Sequence, residues 1–270
     1  MSFDLEAYCR RVGYDGPRVP TLETLQALHA LHPAAIPFEN LDPWLGMPVL
    51  LDITSLQRKL VDSKRGGYCY EHNLLFKSAL EAIGFAVTGL AARVLWGRAA
   101  DAVTPRTHML LLVEVEDEQY LADVGFGGQT LTVPLQLELD VAQPTPHESF
   151  RLTEYNGDFL LQTYIRDTWQ PLYRFDLQRQ ELVDYELASW YLSHHPQSPF
   201  VAGLRVARAV PGKRFNLLGN ELMTHTLGAQ STKRRLSSAD ELSETLETVF
   251  GIALPQHPQL ASRLQRLVTA

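Results

Sequence analysis

The sequence predicts an α+β chain built from three successive units: a helical first third, a middle β unit and a mixed α/β last third. Three observations carry this. Apolar residues recur at helical spacing up to Gly84. Between about 85 and 185 the pattern turns to short strand-like runs punctuated by turn residues. Beyond 186, helical and strand-like runs alternate. At 270 residues the chain exceeds a typical single domain and has room for two or three packed units, with a sizeable core and no need of disulfide or metal staples.

In the first unit, residues 1–84, Leu22, Leu25, Leu28 and Leu31 line one face of a helix between Thr21 and His32, which Pro33 and Pro37 are expected to end. A second helix starts near Thr54 with Leu56 and Leu60 inward. A third runs from Cys69 through Leu74, Leu75, Phe76, Ala79, Leu80 and Ile83 to a stop at Gly84. In the second unit, residues 85–185, strands are expected at 85–96, 108–115, 119–124, 149–153, 159–165 and 170–174. Glu116-Asp117-Glu118 forms one polar hairpin tip and Asn156-Gly157 another, so the unit reads as a barrel or sandwich. In the third unit, residues 186–270, a short helix at 186–193 precedes strands at 201–210, 214–218 and 221–227. Ser238-Ala239-Asp240-Glu241 has capping-box spacing for a helix ending near Phe250, and Leu260, Leu264 and Leu267 suggest a last one.

The net charge is −7, with 24 Lys and Arg against 31 Asp and Glu, which argues against a general nucleic-acid or anionic-membrane binder. The balance is uneven. Residues 200–270 carry nine basic and five acidic side chains, so a small polyanion would find its most favourable surface there. No apolar run approaches the roughly 20 residues of a membrane span. The first ten residues lack the apolar core of a secretory signal, so a cytoplasmic location is expected. The two cysteines, Cys9 and Cys69, make neither a disulfide framework nor a zinc motif, and no metal site is expected.

Cys69 is the candidate nucleophile. It stands in Arg65-Gly66-Gly67-Tyr68-Cys69-Tyr70-Glu71-His72-Asn73, where two glycines precede a helix start. That places the sulfur at the positive end of a helix dipole, which favours a thiolate. A thiolate nucleophile needs a base and a group to orient it. His108 opens one apolar strand and Asp123 closes the next, so a hairpin would make them cross-strand neighbours and let the carboxylate fix the imidazole. His72, three residues after Cys69 on the same helix, is a competing base without an evident orienting carboxylate. Cys-His-Asp sites of this cysteine-protease-like type serve acyl transfer and hydrolysis alike. A thiol hydrolase of transglutaminase-like type, or a non-catalytic binding module on the same scaffold, is therefore an alternative at this point.

Ile36-Pro37-Phe38-Glu39-Asn40-Leu41, the Arg65–Asn73 segment, His108-Met109-Leu110-Leu111-Leu112-Val113 and Asp123-Val124-Gly125-Phe126-Gly127 together resemble the arylamine N-acetyltransferase family. The resemblance implies an N-terminal helical bundle, a central antiparallel β-barrel and a C-terminal α/β lid. It implies Cys69, His108 and Asp123 as catalytic triad, with acetyl-coenzyme A as acetyl donor and a small aromatic amine or hydrazine, or an N-hydroxyarylamine, as acceptor. Transfer would follow a ping-pong course through an acetyl-cysteine. Phe38, Phe126 and Phe200 match positions lining the acceptor pocket, Gly125 and Gly127 fall in the coenzyme A region, and Glu39 and Arg65 match a buried structural ion pair.

Overall fold

The computed structural model describes residues 3–269. The first third folds as α1 (Leu5–Val12), α2 (Leu22–Ala35), β1 (Phe38–Glu39), α3 (Leu41–Leu45), α4 (Ile53–Leu56) and α5 (Cys69–Ile83), with a π-helical turn, Gln57–Asp62, continuing α4. The middle comprises β2 (Ala86–Val94), β3 (Arg106–Val115), β4 (Glu118–Ala122), β5 (Leu135–Gln136), β6 (Gln143–Pro144), β7 (Ser149–Tyr155), β8 (Asp158–Ile165) and β9 (Thr168–Phe175). The last third adds α6 (Leu182–His194), α7 (Pro199–Ala202), β10 (Arg205–Val210), β11 (Lys213–Leu218), β12 (Glu221–Thr226), β13 (Thr232–Arg235), α8 (Ala239–Thr248) and α9 (Leu260–Thr269).

The middle strands form one antiparallel sheet in the order β5-β4-β3-β2-β9-β8-β7-β6. Its two edges nearly close into a barrel through one side chain. Gln143 on β6 donates from Nε2 to the carbonyl of Gln136 on β5 and accepts the Gln136 N–H at Oε1, both at 2.8 Å. A side-chain amide thus makes the link that a further ladder bond would make, and the edges are not left open for another chain. Strand β3 shows why the sheet needs two apolar faces. Met109, Leu111 and Val113 pack with Leu28, Phe76 and Leu80 of the helical layer, while Leu110 and Leu112 alternate into the barrel with Leu90, Leu121, Phe150 and Leu161.

The second sheet runs β1-β10-β11-β12-β13. Its edge strand β1 comes from the first third: Phe38 pairs with Ala207 and Glu39 with Val206, while the Glu39 N–H donates to Gly67 O at 2.8 Å. Helix α3 follows it across, and Leu41, Trp44 and Leu45 pack with Leu217, Leu242, Leu246, Phe250 and Leu264. Packing therefore crosses the division into 1–84, 85–185 and 186–270 at residues 38–45, which the C-terminal layer buries.

Some expected elements differ. Helix α2 does not stop at Pro33 but runs on to Ala35, with the Ile36 N–H donating to His32 O at 2.8 Å. Pro33 costs one helical hydrogen bond that burial tolerates, and it is Pro37 that forces Ile36 into extended geometry. The expected strand at 201–210 is two elements. Ser198 Oγ caps a helical turn at Pro199–Ala202 by accepting the Phe200 N–H, Gly203 breaks it, and the strand begins at Arg205. Helix α6 begins four residues earlier than expected, where Asp184 accepts the Glu181 N–H at 2.9 Å.

Candidate active site

Cys69 is the first residue of α5 and is buried. The loop before it is held close against β1: a Cβ on Gly66 would collide with the Pro37 carbonyl, so only glycine allows that approach. Glu71 caps the helix from inside, its Oε2 accepting the Tyr68 N–H at 3.0 Å. As the first two residues of α5, Cys69 and Tyr70 have N–H groups without intrahelical acceptors.

His108 and Asp123 meet from adjacent strands. The β3–β4 ladder ends at Leu111–Ala122, so Asp123 lies diagonal to His108 and not directly opposite it. His108 Nε2 donates to Asp123 Oδ2 at 2.7 Å, and both groups are fully buried. The tautomer follows from the partner, since a carboxylate only accepts. Burial works against a charged imidazole. The Asp123 carboxylate and its hydrogen bond, with a smaller contribution from the neighbouring Cys69, outweigh that and lift the His108 pKa from 6.5 to about 10. Burial likewise opposes ionisation of Asp123. His108, Asn73 and the Gly125 N–H nevertheless hold its carboxyl below the usual range.

Beyond the ladder's end, Asn73 splices the strands together. One helical turn after Cys69, its Nδ2 donates to Met109 O at 2.8 Å and to Asp123 Oδ1 at 3.0 Å, and its Oδ1 accepts the Val124 N–H at 3.2 Å. The Asp123 N–H donates to His29 Nε2 at 3.1 Å, and Thr130 Oγ1 donates to Asp123 O at 2.9 Å. The Tyr173 ring packs 5.0 Å from that of His108, its phenol held protonated by burial and by Asp123. Sequence reasoning missed Asn73, His29, Thr130 and Tyr173. Only Asn73 carried a usable signal, its four-residue spacing from Cys69 on one helix face.

Of the other residues singled out, Phe126 stands edge-on to His108 with ring centroids 5.1 Å apart. Phe38 and Phe200 meet at 5.9 Å, with Tyr68 5.6 Å from Phe200. All three phenylalanines are half-buried; Phe38 and Phe200 pack against the apolar cluster that contains Cys69, and Phe126 against His108 and Tyr173. Gly127 lies against the Phe38 ring. Gly125 is placed differently: its N–H is taken up by Asp123 Oδ1 at 2.9 Å, and a Cβ there would lie 2.9 Å from Cys69 Cα. Close packing on the Cys69 backbone is what requires glycine there. His72 points away from the sulfur. Its Nε2 donates to Pro37 O at 3.1 Å and its Nδ1 accepts from His32 Nε2 at 3.0 Å, and burial lowers its pKa to about 4. Arg65 Nη2 lies 2.7 Å from both Glu39 Oε1 and Asp42 Oδ1. Among the described residues no group of three or more His, Cys, Asp or Glu could hold a metal ion, and no helix is long and apolar enough to cross a membrane.

A buried thiol, an imidazolium held by a carboxylate and adjoining free N–H groups can together perform acyl transfer through a thioester. Comparisons with known proteins agree with that chemistry. The model of the N-acetyltransferase family matches residues 21–259. An arylamine N-acetyltransferase of Mycolicibacterium smegmatis is 48% identical over 94% of either chain. An arylamine N-acetyltransferase / N-hydroxyarylamine O-acetyltransferase of Salmonella typhimurium is 42% identical over 94% of this chain and 90% of its own. The structure of Mycobacterium marinum arylamine N-acetyltransferase in complex with CoA superposes with a TM-score of 0.94 at 41% identity, covering 98% of this chain and 99% of that one.

Proposed function

This chain belongs to the arylamine N-acetyltransferase family, and from that membership we propose that Cys69, His108 and Asp123 are its catalytic triad in ping-pong acetyl transfer. The activity is transfer of acetyl from acetyl-coenzyme A to an arylamine. The observation that carries the triad is the 2.7 Å bond from His108 Nε2 to Asp123 Oδ2, with the Cys69 thiol on the backbone carbonyl of Thr107, the residue before His108, at 3.7 Å.

The residues divide the chemistry as follows. His108, protonated at neutral pH, stabilises a Cys69 thiolate, which attacks the acetyl carbonyl of the thioester. The N–H groups of Cys69 and Tyr70 face the oxyanion that develops. Coenzyme A leaves with the proton of His108, and acetyl-Cys69 remains. The arylamine then attacks that carbonyl, neutral His108 takes the amine proton, and Cys69 departs as thiolate, restoring the starting pair. Phe38, Phe126 and Phe200 supply apolar walls suited to a flat aromatic acceptor. Arylhydrazines and N-hydroxyarylamines present the same ring with a nucleophilic nitrogen or oxygen, and we assign them as further acceptors. Coenzyme A reaches the thiol beside Gly127, with its phosphates toward the basic C-terminal third. A reducing cytoplasm suits the chain, since both cysteines are free thiols.

Intact-protein mass spectrometry tests the assignment. Incubation with acetyl-coenzyme A adds one acetyl group to the wild type and none to Cys69→Ala. An adduct surviving on Cys69→Ala would overturn it.

A further inference from the structure

A chain of buried charges runs beneath the nucleophile, longer than the Glu39–Arg65 pair that the sequence suggested. Arg65 bridges Glu39 and Asp42. Lys59, from the π-helical turn, continues the chain, its Nζ lying 2.6 Å from Asp42 Oδ2 and 2.6 Å from Glu71 Oε1. Glu71 ends it with its other oxygen on the Tyr68 N–H, one residue before Cys69. Five groups from five parts of the fold (β1, α3, the π-helical turn, the loop before α5 and α5 itself) are thus linked up to the first turn of the helix that carries Cys69, and Glu71 is nearly inaccessible to solvent.

We infer that Lys59 and Glu71 are positioning residues for Cys69. Glu71 holds the turn that aims the sulfur, and Lys59 holds Glu71 in the carboxylate form that can accept the Tyr68 N–H. This rests on Cys69 being the nucleophile. The chemistry follows from what each group can do. A carboxylate accepts at both oxygens, one for Lys59 and one for Tyr68. A carboxylic acid would present a proton to one of those donors, and the cap would loosen. The groups facing Glu71 are Lys59 from the π-helical turn, Asp42 from α3 and Glu39 from β1. Three carboxylates share two cations, so this site holds one more negative charge than positive. Burial first, opposed by Lys59 and then assisted by Asp42 and Glu39, pushes the Glu71 pKa up to about 7. Cap occupancy then changes within the working pH range, and the reactivity of Cys69 changes with it.

The test follows the rate of Cys69 alkylation by iodoacetamide from about pH 5.5 to about pH 8.5, with labelling located by mass spectrometry. Wild type is expected to show a step centred near pH 7, of roughly two- to threefold. Glu71→Gln keeps an acceptor oxygen for Tyr68 but has no proton to gain, so the step disappears and the rate stays within about threefold of wild type. Lys59→Met moves the step upward by roughly one pH unit or more, and Lys59→Arg returns it. A merely structural network would lower the unfolding temperature of these variants and leave the profile unmoved. A wild type without the step, or a step that survives in Glu71→Gln, overturns the inference. Labelling that spares Cys69 in the wild type refutes instead the nucleophile assignment on which it rests.

Discussion

Asn73 holds the site together at the point where the β3–β4 ladder gives out. Its amide spends both ends on the backbone and on Asp123, so it sets how the carboxylate faces His108. Hydrogen bonds to a charged group are worth about 1.5–3 kcal/mol, and losing them corresponds to roughly ten- to a hundredfold in rate. Asn73→Ala is accordingly expected to lower kcat/KM for acetylation by that factor while circular dichroism remains native. Activity within twofold of wild type would mean that Gly125 and His108 position Asp123 without help. For the base, His108→Gln should lose most of its thiol reactivity near neutral pH, whereas His72→Gln should lose little, because His72 faces Pro37 and His32. The reverse order would identify His72 as the base.

At the scale of elements, β1 and α3 are short, yet they join the loop before Cys69 to the C-terminal sheet. Their anchor is Arg65 between Glu39 and Asp42, all buried. Removing one partner of a buried pair leaves an uncompensated charge and costs about 3–5 kcal/mol. Arg65→Met, which leaves Glu39 without its paired cation and Asp42 with Lys59 alone, is expected to lose that much in urea unfolding. Lys77→Met breaks only a partly exposed pair with Glu81, four residues on, and should change stability by about 0.5 kcal/mol or less. Equal losses in the two variants would show that burial does not control these ion pairs. A second anchor joins the barrel to the C-terminal sheet, where the buried Arg214 holds Glu148 through Nε at 3.0 Å and Nη2 at 2.7 Å.

The molecule as a whole carries opposing titrations. Burial lowers the pKa of His29 and of His72 to about 4, and burial followed by the neighbouring His72 holds His32 well below its ordinary value. The unfolded chain protonates all three near 6.5, so it binds more protons than the folded one as pH falls toward 4, and stability falls with it. Glu71, whose folded pKa is raised, binds its proton preferentially in the folded state over much of that window and opposes the three histidines only in part. His108 acts on the alkaline side. Its folded pKa near 10 gives stability that is full below about pH 6.5 and is lost as pH rises toward 10. Stability is therefore expected to peak near pH 6.5–7, and a melting temperature still rising between pH 7 and 9 would contradict this balance. The charge distribution makes a separate prediction. With the excess of basic over acidic side chains confined to residues 200–270 of a −7 chain, coenzyme A binding should weaken as salt is raised. Isothermal titration at low and high ionic strength measures that dependence, and an unchanged Kd would remove the charge argument.

The sequence alone determined the period-2 and helical patterns, the glycine-framed cysteine and the hairpin that brings a histidine and an aspartate toward each other. Local propensity and short-range spacing carry all of these. It also carried the order of the three layers, since each strand or helix is continuous in the chain. The tertiary structure decided what long separations hide. It put β1 on the edge of a sheet more than 160 residues away, supplied His29 and Tyr173 to the Asp123–His108 pair, and extended an ion pair into a chain ending beneath Cys69. No periodicity marks such contacts, because a buried polar group is placed by the need for a partner wherever folding brings one. For the same reason Gly125, read in the sequence as part of a ligand loop, is occupied by packing on Cys69 and by a bond to Asp123.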